Sequence, residues 1–410
     1  MSKNNENKLV PKLRFPEFVN DGEWKEKKLI DVCEINPKVS QLPDEFVYID
    51  LESVDKGKLL QKKIINKDEA PSRAQRLLEE NDVVYQTVRP YQKNNYHFKK
   101  NDDYEYVAST GYAQLRVFQS SSFLFQLIHT DNFVSQVIKK CSGSNYPAIN
   151  SSDLSQIALA IPTNINEQKK IADCLSSLDE VIISENEKLV ALQDHKNGLL
   201  QNLFTKDGES FPKFRFSDFE DSGDWEETTL SQVADYENGK AHEQDIADDG
   251  EFIVVNSKFI SQDGEVKKFT NTAFLPATKG DVLMVLSDIP NGRAIAKCFL
   301  VEEDNRYTVN QRICRITPRN LNSKILYYLL NRNPYFLTFD DGVKQTNLRK
   351  EDVLNCPLMI PSNPKEQEMI ADTLSSVDDL INAQNQKLDS LQLHKKGLLQ
   401  GLFPTINNEE

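Results

Sequence analysis

Three stretches of this 410-residue sequence are basic, free of acidic residues and laced with amide side chains. QTVRPYQKNNYHFKK, from Gln86 to Lys100, carries Arg89, Lys93, Lys99 and Lys100 among Tyr91, Asn94, Asn95 and Tyr96. NRYTVNQRICRITPR (Asn305 to Arg319) and GVKQTNLRK (Gly342 to Lys350) are likewise basic and acid-free in the second half of the chain. Arginine and lysine reach phosphates, arginine forks onto guanine edges, and asparagine and glutamine match adenine. The chemistry suited to such stretches is DNA binding. Candidate contacts in the first half are Arg89, Tyr91, Lys93, Asn94, Asn95, Tyr96 and Lys99. Ser144, Asn145 and Tyr146 join them from the Gly/Ser/Asn turn CSGSNYPAIN. In the second half they are Arg293, Gln311, Arg312, Lys344, Gln345, Asn347 and Arg349. Each stretch taken alone equally describes a solvated loop or a charged sheet edge. The net charge of −14 argues against a uniformly basic nucleic-acid sleeve, though not against a local basic surface.

Signals for catalysis are weaker. No G-x-x-x-x-G-K-[ST] loop occurs, and no G-x-G-x-x-G follows a strand pattern. The five histidines show no metal-ligand spacing with cysteine or carboxylate, so no metal site is expected. NPYF, at Asn333 to Phe336, brushes against the N-P-P-Y motif of adenine-N6 methyltransferases but lacks the second proline, and reads as a helix end. Six scattered cysteines without C-x-x-C, no membrane-length apolar run and no apolar signal-peptide core point to a reduced, cytoplasmic chain.

The elements that position these stretches are written twice. From Ile161 to Phe204 and again 199 residues later, 26 of 44 aligned positions are identical, so IPTNINEQKKIADCLSSLDE faces IPSNPKEQEMIADTLSSVDD. The opening PKLRFPEF…EWKEKKLIDV returns as PKFRFSDF…DWEETTLSQV, pairing Trp24 with Trp225. Between these frames the halves diverge, with NDVVYQTV against GDVLMVLS the remaining echo. Short β-rich runs (EFVYIDL, DVVYQTV, YAQLRVF; EFIVVN, DVLMVL, RICRITP) alternate with short helical patterns, which predicts two mixed α+β bodies. Expected boundaries are a first recognition domain at 1–162, a first helix at 163–205, a second domain at 206–361, a second helix at 362–404 and a tail at 405–410. Asn164 or Asn166, and Asn363 in the second copy, are candidate caps.

In each repeated helix the apolar residues follow 4,3 spacing, the mark of a coiled-coil seam. The seam reads Leu178, Ile182, Glu185, Leu189, Leu192, Lys196 in the first copy. In the second it reads Val377, Ile381, Gln384, Leu388, Leu391, Lys395. Parallel pairing would set Lys196 against Lys395. Antiparallel pairing with partner numbers summing to 580 sets Glu185 against Lys395, Lys196 against Gln384 and Leu189 against Leu391. That register is the one expected, because polar seam residues specify register and orientation. About 40 helical residues make a rod of roughly 60 Å, which would hold two similar heads apart. His195 and His394 recur beside the seam lysines and suit a structural or partner-contact role. A half-chain ending near Thr205 is expected to pair with its own copy at numbers summing to 381.

The opening PKLRFPEF…W, the EQKKIADCLSSLDE…LQDHKNGLLQNLF block and its second copy resemble the specificity subunits of type I restriction–modification enzymes. The resemblance covers nearly the whole chain. It implies two homologous DNA-target recognition domains at opposite ends of a long antiparallel two-helix coiled coil, related by pseudo-twofold symmetry. It further implies that each domain reads one half of a bipartite, asymmetric site in double-stranded DNA. The subunit would have no catalytic residues. Two modification (methyltransferase) subunits would methylate adenine with S-adenosylmethionine, and restriction (translocase/nuclease) subunits would use ATP and Mg. No cofactor is then expected on this chain itself. A different class of protein, a non-catalytic two-headed coiled-coil adaptor binding protein partners, shares the layout; steeply salt-sensitive DNA binding separates the two.

Overall fold

A computed structural model describes residues 8–39, 41–143, 145–206, 208–290 and 292–406. Two long helices, Ile165–Leu203 and Pro364–Leu402, carry the repeated blocks. The chain divides into two compact units, one of Met1–Glu187 with Gln386–Glu410 and the other of Lys188–Asn385. Each long helix is thus shared between the two units.

Both heads share one plan. In the first unit, one four-stranded sheet runs in the order Cys33–Ile35, Tyr112–Val117, Val83–Gln86, Tyr96–His97. The other runs Lys63–Asn66, Glu45–Ile49, Tyr106–Ser109, Ala74–Leu77. In the second unit the matching orders are Ala234–Asn238, Ile313–Pro318, Val282–Val285, Cys298–Leu300 and Phe269–Thr270, Phe252–Val255, Tyr307–Val309, Pro276–Ala277. Each second sheet contains one parallel pair. β-Branched and aromatic runs such as FVYI and VVYQ are buried along their whole length, as strands covered on both faces must be. Short helices, Ser121–Leu127 and Asp131–Lys140 in one unit and Ser323–Leu330 in the other, cover the first sheet.

The repeated frame has a specific use. Lys25–Lys28 pairs antiparallel with Ala158–Ile161, tying the start of the head to the strand that feeds the long helix; Glu226–Thr229 does the same with Pro357–Ile360. Asn164 caps the first helix, its Oδ1 accepting from Asn166 N at 3.0 Å, and Asn363 accepts from Lys365 N at 3.0 Å. Glu167, 1% exposed, receives Arg14 Nε at 2.7 Å, an Arg14 terminal nitrogen at 2.8 Å and Trp24 Nε1 at 3.2 Å. Arg215 and Trp225 hold Glu366 at 2.8, 2.8 and 3.2 Å. The neighbouring glutamines, Gln168 and Gln367, donate to the carbonyls of Pro162 and Pro361. The Glu-Gln pair is therefore a buried lock on the entry to each helix, with every carboxylate charge paired.

Each unit is closed by the end of a long helix. Leu402, Phe403 and Ile406 enter the first core, where Phe403 meets Trp24 edge-on at 6.1 Å. Leu203 and Phe204 serve the second, Phe204 meeting Trp225 at 6.2 Å. Beyond the second long helix Ile406 is buried and its carbonyl accepts from Asn132 Nδ2 at 3.2 Å. Residues 407–410 lie outside the described residues.

Along both helices the 4,3 seam positions are the shielded ones, while His195 and His394 are exposed. The long helices run antiparallel where they meet, but the register expected from the sequence is wrong by about one heptad. Lys395 pairs with Asp179 rather than Glu185, and Glu185 pairs with Lys387 at 2.6 Å. Lys196 pairs with Asp378 at 2.5 Å rather than with Gln384, which is buried. Partner numbers sum to about 573. The error has a physical cause: a lysine stem long enough to lie along the seam delivers its ammonium to a carboxylate beside the seam, so charged seam residues need no partner within it.

Candidate nucleic-acid interface

In the first head the chain leaves the strand Val83–Gln86 and crosses a second segment before turning away. Ile149 N donates to Thr87 O at 3.0 Å, Val88 bridges Ala148, and Arg89 N donates to Pro147 O at 2.8 Å. Arg89 takes a left-handed backbone (φ 53°), which turns the chain into Pro90–Gln92 and leaves its guanidinium over the Tyr146 ring, 4.4 Å from the centroid. Tyr146 is 64% exposed and Tyr91 51%. A partly exposed cation, its exposed stacking partner and a second exposed tyrosine thus belong to one short bridged turn. Such a cluster binds phosphates and base edges well.

The other first-head candidates divide between surface and scaffold. Asn145 is exposed, and Ser144 lies outside the described residues. Asn95 is corrected: it is buried, its Oδ1 accepts from Gln86 N at 2.9 Å and its amide faces His129 Nε2 at 3.3 Å. His129 Nδ1 donates to Phe125 O, leaving Nε2 as the acceptor, and burial pushes the imidazole down to about 4. Asn94 accepts from Lys56 N, and Lys93 donates to His129 O and Asp131. Lys99 binds Asn81, and Tyr96 is half-buried in the strand paired with Val84. A composition-based reading cannot separate these positions, because the same amides and lysines that suit DNA also fasten a tight loop.

The second head repeats the crossing with different side chains. Leu348 N donates to Leu286 O at 2.8 Å, and Ser287 and Asp288 pair with Asn347 and Thr346. Gln345 Nε2 reaches Ser287 Oγ at 2.7 Å, and Asn347 is exposed on the ribbon. Arg293 is exposed on the loop that follows Asp288. Arg312, exposed and left-handed, accepts from Leu286 N. Gln311 donates to Glu243, Lys344 N is held by Asp341, and Arg349 N is held by Asp352 at the start of Lys350–Leu354. Asn333 caps Pro334–Leu337, so NPYF is a helix start. The sequence reading did not single out Val88, Ser287, Asp288 or Ile289. The echo NDVVYQTV/GDVLMVLS, carried one residue further, aligns Arg89 with Asp288 and marks the position.

Comparison with known proteins agrees with this frame. The model of the type I restriction modification DNA specificity domain matches twice, at residues 21–194 and 222–393. The chain is 26% identical over 283 residues to the type I restriction enzyme MjaVIII specificity subunit of Methanocaldococcus jannaschii, covering 64% of each protein. It is 23% identical over 275 residues to the putative type I restriction enzyme MjaX specificity subunit of the same organism, covering 63% of this chain and 61% of that one. The chain thus spans less than two thirds of the length of both curated relatives. Among solved structures, the S subunit of a type I restriction-modification system from M. genitalium superposes with a TM-score of 0.62 at 15% identity, over 97% of this chain and all of that one. A structure titled for complex assembly and conformational transition of the type I R-M system gives 0.54 at 22% identity, over 93% and 97%. These two share the fold. With two family domains spanning most of its length, the chain belongs to the type I restriction–modification DNA specificity family.

Proposed function

We propose that the chain is the DNA sequence-recognition subunit of a type I restriction–modification complex, each head reading one half of a bipartite, asymmetric site. The observation that carries this reading is the contrast between a duplicated frame and unlike side chains at one repeated crossing. Arg89, Ala148 and Tyr146 in one head stand where Asp288, Asn347 and Gln345 stand in the other. A scaffold kept constant around changed side chains is what two half-sites of different sequence require.

In this reading the chain supplies recognition and no bond-making chemistry. Modification subunits bring S-adenosylmethionine and methylate adenine in each half-site; restriction subunits bring ATP- and Mg-dependent translocation and cleavage. The system works in the cytoplasm. Among the described residues no helix is long and apolar enough to cross a membrane. Methylome mapping in cells carrying this chain and its modification subunits tests the proposal. The expected result is methylated adenine at one split, asymmetric sequence, lost when this chain is deleted. Methylation that persists without the chain, or turnover by the purified chain alone, overturns it.

A further inference from the structure

The crossing after the central strand is the same object in both heads, and its details differ in a way that has chemical meaning. Asp82 and Asp281, each buried, open the strand by accepting Glu79 N and Thr278 N at 2.8 Å. Four residues beyond the strand's start the chains pass under Ile149 N and Leu348 N through equivalent bonds. The next residues, Val88 and Ser287, pair with Ala148 and Asn347, positions 199 residues apart in both cases. The divergence then begins. At the following position the first head has Arg89, a partly exposed cation stacked on Tyr146. The second has Asp288, an anion turned inward.

Asp288 does not add negative charge to an open surface. Its carboxylate accepts Ile289 N at 2.8 Å, Ala294 N at 2.6 Å and Ile295 N at 3.1 Å, gathering the loop into a tight arch. Gly292 is required inside that arch: a Cβ there would lie 2.1 Å from Asp288 Oδ2. The arch shows Ile289, 69% exposed, and Arg293 to solvent beside the ribbon that carries Asn347.

From this geometry we infer that the crossing is the specificity-determining element of each head, reading base edges by an Arg89–Tyr146 clamp in the first and by the Asp288-held arch in the second. The inference rests on the DNA-recognition reading above. An arginine held by a stacked ring keeps its planar fork oriented for the two acceptors of guanine, which a lysine ammonium does not replace. In the second head Asn347 has amide groups to match adenine, and Ile289 offers an apolar tip for a thymine methyl.

Two substitutions in the full chain, assayed with its modification subunits, test this, and the untouched head serves as internal control. Arg89→Lys retains the charge and removes the fork. It is expected to reduce discrimination at one base pair of the first half-site by roughly 5- to 150-fold, with the salt slope of binding unchanged and the second half-site read as before. Gly292→Ala pushes the arch off Asp288 and is expected to relax the second half-site alone. The inference is overturned if Arg89→Lys weakens binding to all sequences alike, as loss of a phosphate contact does, or if both variants keep the parental specificity. Misfolding is separated from these outcomes because the control half-site remains readable only in an intact molecule. If the unsubstituted complex shows no sequence-specific binding, the DNA-recognition reading itself fails and takes this inference with it.

Discussion

Lys196 holds the carboxylate of Asp378 at 2.5 Å, and their counterparts 199 residues away, Lys395 and Asp179, form the same pair with the roles of the two helices exchanged. All four side chains are partly shielded, and the Lys196 ammonium also lies 5.6 Å from the Tyr328 ring centroid. The pairs fix register because each lysine meets an acid in this alignment and would meet none of its present partners after a slip.

Charge reversal measures that contribution. Asp179→Lys should destabilise the first unit by roughly 1 kcal/mol, and Lys395→Asp added to it should restore most of the loss. A denaturant double-mutant cycle on the full chain checks it. Purely additive effects would mean that the two side chains do not couple.

The buried lock is a stronger element. Glu167→Gln leaves the Arg14 guanidinium, itself largely enclosed, without its counter-charge, and Glu366→Gln does the same to Arg215. Each should cost about 3–5 kcal/mol, confined to its own unit. Hydrogen exchange resolves the two units: Glu167→Gln should speed exchange in Lys25–Lys28 and Ala158–Ile161, with the Glu226–Thr229 ribbon unchanged.

Much of this was legible in the sequence, for reasons that particular residues show. The EFVYI, VVYQ and ICRITP runs became strands because β-branched and aromatic residues clustered without helical spacing. The long helices were legible because a 4,3 seam persisted over several turns. The register was not, because side-chain reach rather than seam position chose the partner of Lys395. Nor was the division of surface from scaffold: Asn95 and Arg89 lie six residues apart in one basic stretch, yet one is sealed beside His129 and the other, partly exposed, stacks on Tyr146. That distinction is tertiary, set by which loop folds over which.

Acid should weaken the first unit. Burial lowers His129 to about 4, and burial followed by the Lys99 charge lowers His97 to about 4. Both are neutral when folded and titrate near 6.5 when unfolded. Between pH 6.5 and 4 the unfolded chain therefore binds more protons, and stability falls as pH falls, by about 1.4 kcal/mol per pH unit for each histidine. The contribution is fully present above 6.5 and spent below 4. His129→Gln should flatten the slope by about half; an unchanged pH profile of the first unit would contradict the assignment.

Cutting the chain near Thr205 leaves one head and one long helix, and the observed register says how that helix should pair. In an antiparallel homodimer, Lys196 of each copy would meet Asp179 of the other, as Lys196 meets Asp378 in the intact chain. Glu185 would meet Lys188, the counterpart of Lys387. Phe204 would cover Trp24 of the other copy in the place of Phe403. The two helix–helix pairs have partner numbers that sum to about 375, in place of the 381 expected from the sequence alone. Each of these contacts thus has a homotypic substitute, and the internal repeat is replaced by two identical copies. With modification subunits present, the fragment should direct methylation to a palindromic split site built from the first half-site and its inverted repeat. Lys196→Asp should abolish dimerisation by opposing Asp179, and Asp179→Lys in the same fragment should restore it. Light scattering and methylome mapping decide the matter: a strictly monomeric fragment, or a dimer indifferent to both substitutions, would rule out this pairing.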